Sequence, residues 1–324
     1  MGRAYQLGKD TFQMNFIPLL QNTVCHNARP VLKWAGGKGL LLPQLSEKFP
    51  NSLKCGSIKR YIEPFVGGGA VFFEICNSFR FKDAFLFDIN PELVILYNVI
   101  KKDVGLLIKE LSFLQEAYAS AEDKSALYYN LRGEYNTFDK HVDANIYSSD
   151  FVRRAALTIF LNRTCFNGLF RVNSKGLFNV PMGRYKNPCI LDAGNLTAVS
   201  YALSKATVVQ ADFSTALQYA DKDTFIYYDP PYRPLSDTSF TSYAADGFDD
   251  NEQRRLKNIF DQANELGALQ MLSNSDPTNA GEDAFFDDLY QEYNIHRIWA
   301  KRLINSKADG RAAIRELLIT NYAA

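Results

Sequence analysis

Asp229-Pro230-Pro231-Tyr232 brings a carboxylate, two stiff prolines and an aromatic ring into four consecutive positions. The apolar run Phe225 to Tyr228 before it predicts a buried strand, so the four residues fall at a strand tip. Successive prolines stiffen the backbone and leave the Pro230 carbonyl without a local partner. That carbonyl and the Asp229 carboxylate offer acceptors for both hydrogens of a planar amino group. Such bonds draw the nitrogen toward pyramidal geometry and free its lone pair to attack a sulfonium methyl. Tyr232 supplies a ring to stack on the amino-bearing base. Attack by nitrogen needs no enzyme nucleophile, only alignment and preorganised acceptors for the developing positive charge.

A second group is Glu63-Pro64-Phe65-Val66-Gly67-Gly68-Gly69, followed by Asp88. Gly67 and Gly69 permit positive φ and close backbone approach to a ligand. Asp88 ends the next strand, where a carboxylate can accept hydrogen bonds from ribose hydroxyls. Asp212-Phe213 ends a third strand and adds a polar acceptor and an aromatic face suited to adenine. These residues indicate a nucleoside ligand. NAD satisfies the same logic, although Asp229 to Tyr232 supply no hydride geometry. A third group, KWAGGK at Lys33 to Lys38, reads equally as an N-terminal structural turn or as a bend packed beside the ligand, with Trp34 and Lys38 lining the methionine end of a sulfonium methyl donor.

The elements that position these groups follow from apolar period and glycine punctuation. Strands are predicted near 60–63, 84–87, 207–210, 225–228 and 268–272, with two late strands near 293–299 and 314–320 closing the sheet as an antiparallel pair. Strand, glycine turn, helix, strand and acidic residue in that order define an α/β class: a doubly wound, mostly parallel, Rossmann-like sheet. Residues 101–200 break the pattern with helical periods over 103–118, 124–135 and 151–163. A hairpin turning at Asn173 to Gly176 follows. We expect an arm over 1–29, a catalytic domain over 30–100 and 201–324, and an inserted, largely helical domain bearing the hairpin over 101–200.

The 324 residues carry 36 basic and 36 acidic groups, so any polyanion partner must be met by local charge. Basic residues gather over 151–190 and again over 297–315. Five scattered cysteines without a C-x-x-C pair fit reduced thiols in a cytoplasm, and three distant histidines give no expectation of a metal. No apolar stretch approaches a membrane span. Pro188-Cys189 follows the basic hairpin, not a core strand, which disfavours a cysteine nucleophile.

KWAGGK, EPFVGGG, Asp88-Ile89-Asn90, a central insert, DPPY and a basic late loop, taken in that order, resemble the Dam-type (D12 class) DNA adenine N6-methyltransferases, especially members of GATC-specific bacterial restriction–modification systems. The similarity runs from about Pro30 to Tyr322. It implies transfer of a methyl group from S-adenosyl-L-methionine to adenine in double-stranded DNA. It implies that Trp34, Lys38, Gly67, Gly69, Asp88, Asp212 and Phe213 bind that cofactor, and that Asp229, Pro230 and Tyr232 are catalytic. A companion restriction endonuclease and a monomeric enzyme are the accompanying expectations. The strand-tip chemistry alone also suits cytosine N4, RNA or a glutamine side chain; Asp in place of Asn in DPPY and the hairpin favour adenine.

The stretch Phe166 to Asn173, followed by Phe178 to Tyr185, is similar to that family's recognition hairpin. By resemblance, Phe166 and Asn167 enter or brace the duplex, Leu169, Arg171 and Pro181 read bases, and Tyr185 assists at the outer pair. Arg171 has an independent rationale, because a guanidinium fork matches guanine O6 and N7. Arg163, Lys175, Arg184 and Lys186 are expected at phosphates, which hold register without carrying sequence information. Asn305 and Lys307 resemble a late loop that approaches the DNA backbone.

Overall fold

The computed structural model describes residues 27–233, 248–279, 281, 283–300 and 314–324. Asn305 and Lys307, and nearly all of the 1–29 arm, lie outside the described residues.

Two short helices, α1 (Leu42–Lys48) and α2 (Asn51–Lys54), lead to β1 (Arg60–Glu63), α3 (Ala70–Ser78) and β2 (Asp83–Asp88). Next come α4 (Pro91–Ser120), α5 (Lys124–Tyr135), α6 (Phe151–Thr164) and α7 (Ala193–Leu203). The chain then forms β3 (Ala206–Gln210), β4 (Thr224–Tyr228), α8 (Asp250–Glu265) and β5 (Leu269–Ser275). It ends with α9 (Phe285–Leu289), β6 (Asn294–Ala300) and β7 (Ile314–Thr320).

All seven strands join one sheet in the order β3-β2-β1-β4-β5-β7-β6. The first five run parallel, and β7 pairs antiparallel with both β5 and β6. The order reverses between β1 and β4, which opens a crevice beyond their carboxyl ends. Their register pairs Ile62 with Ile226, so the loops leaving Glu63 and Tyr228 rise side by side. Every residue of β4 is buried, as a central parallel strand requires. Its two tyrosine hydroxyls are satisfied inside the sheet by Ser273 at 2.7 Å and Gln270 at 3.0 Å.

Pro91 occupies the first turn of α4 and Asn90 caps it, its side chain accepting from the Glu92 amide at 3.0 Å. The helix is buried continuously from Glu92 to Ile100, breaks at Asp103 (φ −134°, ψ 39°), and thereafter buries one face only through Leu107, Leu111, Leu114 and Tyr118. The predicted helix at 103–118 is thus the far limb of one 30-residue helix.

The edge strand β3 has its outward carbonyls occupied. Lys101 Nζ donates to Ala206, Asn98 Nδ2 to Val208, and Asn145 Nδ2 to Gln210.

The predicted hairpin turns where expected but is short. One bridge joins Val172 to Phe178, flanked by Asn173 N donating to Leu177 O at 2.9 Å and Asn179 N donating to Arg171 O at 3.1 Å. Side chains of the neighbouring helical segment occupy the other edge of its second limb. Asn136 exchanges two hydrogen bonds with the Phe178 backbone, and the Tyr128 hydroxyl donates to Val180 O at 2.8 Å. No helix among the described residues is long and apolar enough to cross a membrane.

Candidate functional site

The turn after β4 carries Asp229, whose side chain is 19% exposed, and the buried Pro230. Lys38 lies across it, with its ammonium 2.7 Å from Asp229 Oδ1 and 4.6 Å from the Tyr232 ring centroid. The ammonium also donates to Gly36 O at 2.8 Å. Asp229 Oδ1 has no hydrogen bond of good geometry and keeps acceptor capacity. Burial pushes Asp229 up to about 6; Lys38 opposes that rise and Glu316 adds to it. The turn is braced from behind. Gln253 Nε2 donates to Pro231 O, Asn274 Nδ2 donates to Gln253 Oε1, and Asn274 Oδ1 accepts from the Arg233 amide, all at 3.2 Å.

Beside it, the glycine loop leaves β1 with Gly67 at φ +47° and Gly69 at φ +72°. A β-carbon on Gly69 would stand 2.8 Å from the Phe73 ring, so the loop closes tightly onto α3. Asp88 holds the loop: Oδ2 accepts from Gly67 N and Oδ1 from Asn90 N, both at 2.9 Å. Burial raises Asp88 to about 6 against these backbone bonds. The Trp34 side chain lies over Gly67 and Gly68 and meets Phe170 at 5.2 Å between ring centroids. Asp212 and Phe213 follow β3. The Asp212 carboxylate accepts from Ser214 N at 3.0 Å and pairs with Arg255. Burial raises its pKa, but the Ser214 and Arg255 hydrogen bonds outweigh burial and leave it lowered. Phe213 is buried, stacked on Phe65 at 5.4 Å, with the Arg255 guanidinium 4.3 Å from its centroid.

The segment after α6 presents a mixed apolar and basic face. Phe166, Leu169 and Val172 are exposed beside Arg171, Lys175, Pro181 and Arg184. Asn167 takes a left-handed conformation (φ 56°), unusual for a residue with a side chain. Arg171 Nε is held by Asn179 Oδ1 at 2.8 Å. The Tyr185 hydroxyl accepts from Lys33 Nζ at 3.3 Å.

Several basic residues of the two stretches already have partners within the protein. Arg163, expected at phosphate, donates to Val31 O at 2.6 Å instead. Arg153 pairs with Glu110 and Glu134, and Arg154 with Glu92. Arg297 and Arg315 converge on the fully buried Asp276. In each case a carboxylate or carbonyl distant in sequence captures the cation.

Sequence reasoning missed three groups at the site. Glu63 is buried and driven well above the usual carboxylate range by burial, while the Tyr61 hydroxyl donates to it at 2.8 Å. Glu316 reaches Tyr232 from β7. The Asn162 carboxamide accepts from Lys33 N and donates to Lys33 O and Gly168 O, joining the KWAGGK bend to the exposed segment. Only Glu63 had a sequence signal, as the residue that opens the glycine loop. Among the described residues, no group of three His, Cys, Asp or Glu side chains is placed to hold a metal ion.

A parallel sheet closed by an antiparallel β7, with a glycine loop and an acidic proline turn at its switch point, is the architecture of a Rossmann-like methyltransferase. Residues 34–304 match the D12 class N6 adenine-specific DNA methyltransferase family, and the chain belongs to it. It is 46% identical over 298 residues to the Type II methyltransferase M.MjaIII of Methanocaldococcus jannaschii, covering 91% of this chain and 99% of that protein. It is 39% identical to the Type II methyltransferase M1.LlaDCHI of Lactococcus lactis subsp. cremoris, covering 91% and 96%. It is 34% identical to the DNA adenine methylase of Haemophilus influenzae, covering 90% and 92%. Its reaction is methyl transfer to the N6 amino group of adenine in DNA.

Proposed function

We propose that this enzyme methylates adenine within GATC in duplex DNA, using S-adenosyl-L-methionine, and that it serves as the protective partner of a restriction endonuclease. The names of the Type II relatives support the restriction–modification setting. In this reading the enzyme acts as a monomer, and residues 101–200 form the unit that faces DNA.

The observation that carries the catalytic reading is the buried Asp229 Oδ1, an acceptor without a well-formed hydrogen bond, with the Lys38 ammonium 2.7 Å away. The Lys38 ammonium is itself a nitrogen donor at that oxygen, which supports the reading of Asp229 as the acceptor for the adenine amino group. The neighbouring strand ends support the reading of a donor pocket. The half-buried Gly67 and Gly68 lie against the Trp34 side chain, and the Asp88 and Asp212 carboxylates stand at adjacent strand ends. Gly67, Gly69, Asp88, Asp212, Phe213, Trp34 and Lys38 hold the cofactor in this reading; when bound, it supplies an electrophilic methyl.

The target base must leave the helix to reach the turn. Phe166 and Asn167 brace the duplex as it does so, while Leu169, Arg171, Pro181 and Tyr185 read or support bases. Lys175, Arg184, Asn305 and Lys307 take phosphates. Lys38 yields Asp229 Oδ1 to the arriving amino group. Asp229 and the Pro230 carbonyl then orient its hydrogens while Tyr232 stacks on the ring. The extra proton leaves the product nitrogen after transfer, so Asp229 acts as an acceptor and not as a strong base.

Only the ionised Asp229 can accept both ways. The kcat/KM profile should therefore fall about tenfold per pH unit below an acid limb near 6. Asp88 also titrates near 6, but Lys38 acts on Asp229. Because Lys38 lowers the Asp229 value, Lys38→Met moves the limb to higher pH on whatever activity remains. A limb that ignores Lys38 assigns it to another group.

Arg171→Ala should lower discrimination for the guanine of the site by about 10- to 100-fold while leaving methyl transfer possible. Duplex DNA incubated with labelled donor and mapped at base resolution tests both claims. Methylation dispersed outside GATC in the wild type rejects the assigned site, and unchanged discrimination in the variant rejects the role of Arg171.

A further inference from the structure

Tyr232 is fixed at more points than its own turn provides. Its hydroxyl donates to Glu316 Oε2 at 2.6 Å, and the Lys38 ammonium lies over its ring. Glu316 belongs to β7, where it pairs in register with Ser275 of β5 and Ile298 of β6. The residue before it is clamped. Arg315 N donates to Asn279 Oδ1 at 3.1 Å, and Arg315 O accepts from Asn279 Nδ2 at 2.7 Å. The Arg315 side chain reaches the buried Asp276 at 3.3 Å and Thr278 Oγ1 at 2.8 Å. Glu316 is therefore a carboxylate on a rigid strand, aimed at the one polar atom of an aromatic side chain.

A tyrosine has two torsions that set its ring plane, and a hydroxyl donating to a carboxylate restrains both through a charge-assisted bond. We propose that Glu316 is a positioning residue of the methyl-transfer reaction, holding the Tyr232 ring in the plane that stacks on the extruded adenine. The proposal rests on the reading of Tyr232 as the stacking residue. Glu316 touches no reacting atom; it fixes the ring through the Tyr232 hydroxyl, and because its charge also adds to the rise at Asp229, the rates below are compared well above pH 6, where Asp229 is ionised in every variant. The strand that reverses the sheet's direction thus contributes to the site, although the motifs at the tips of β1 to β4 do not include it.

Single-turnover methylation of duplex DNA, with cofactor affinity measured alongside, tests this. Glu316→Ala and Tyr232→Phe should each slow transfer about tenfold, the loss of one charge-assisted hydrogen bond, with cofactor Kd unchanged. The double variant should be no slower than either single one, since both remove the same bond. Glu316→Gln keeps an acceptor and should recover most of the rate. A Glu316→Ala rate within twofold of wild type overturns the proposal, and so do losses that multiply in the double variant. Should Glu316→Ala fail to fold, Tyr232→Phe leaves β7 untouched and must still show the tenfold loss; a wild-type rate there also overturns the proposal. Tyr232→Ala separates the two levels. If it transfers at the wild-type rate, the stacking reading fails; if it is impaired while Glu316→Ala is not, only the role of Glu316 fails.

Discussion

Asp229→Ala should lower single-turnover methyl transfer by about three orders of magnitude, the scale set by removing a preorganised acceptor from a desolvated site. The effect is large because Asp229 Oδ1 is a buried atom whose close partner is the displaceable Lys38 ammonium. No neighbouring side chain can replace it: Glu63 is held by Tyr61, and Glu316 is held by Tyr232. Cofactor affinity should change little, since Asp88 fixes the glycine loop through backbone bonds that do not involve Asp229. Asp229→Asn, which keeps one carbonyl acceptor, should fall between. Rates from labelled donor and affinities from calorimetry check the split. Turnover within tenfold of wild type removes Asp229 from the mechanism.

The second large effect concerns stability. Arg154 and Glu92 form a buried pair, with side chains 4% and 9% exposed, and Arg154 Nη1 also donates to Asp139 O at 2.8 Å. Removing one partner strands a charge in a medium that cannot solvate it, so Arg154→Ala should cost about 3–5 kcal/mol in denaturant unfolding. Arg153, one residue earlier, pairs with Glu110 and Glu134 near the surface, and Arg153→Ala should cost under about 1 kcal/mol. Equal losses in the two variants contradict the burial argument. The site depends on this pair as well. Glu92 sits in the first turn of α4, directly after the Asp88-Ile89-Asn90 turn, and Arg154 anchors that turn to α6.

The parts of this architecture visible in the sequence share a local signature. Each parallel strand is an apolar run ended by glycine, proline or an acidic residue, and those same ends carry Gly67, Asp88, Asp212 and Asp229. A helix period is likewise local, which is why 124–135 and 151–163 could be read directly. What escaped reading depends on partners far along the chain. The arginines of 151–163 resemble a basic patch until Glu92, Glu110, Glu134 and Val31 are brought against them. Nothing near Lys38 in the sequence names Asp229 as its counterion, and nothing near Tyr232 names Glu316, 84 positions away. The hairpin kept its turn and two cross-strand hydrogen bonds, while the other edge of its second limb is taken by side chains of Asn136 and Tyr128, partners that no strand propensity records.

Lys101, Asn98 and Asn145 also bear on what the protein avoids. A sheet that ends in an open row of carbonyls invites another polypeptide to add itself as the next strand. At β3 these three side chains have already taken the places such a visitor would need, and Asn145 Oδ1 claims the Gln210 amide as well. At this rim, then, a neighbour's backbone meets carbonyls that already have donors, which disfavours its addition to a growing ribbon.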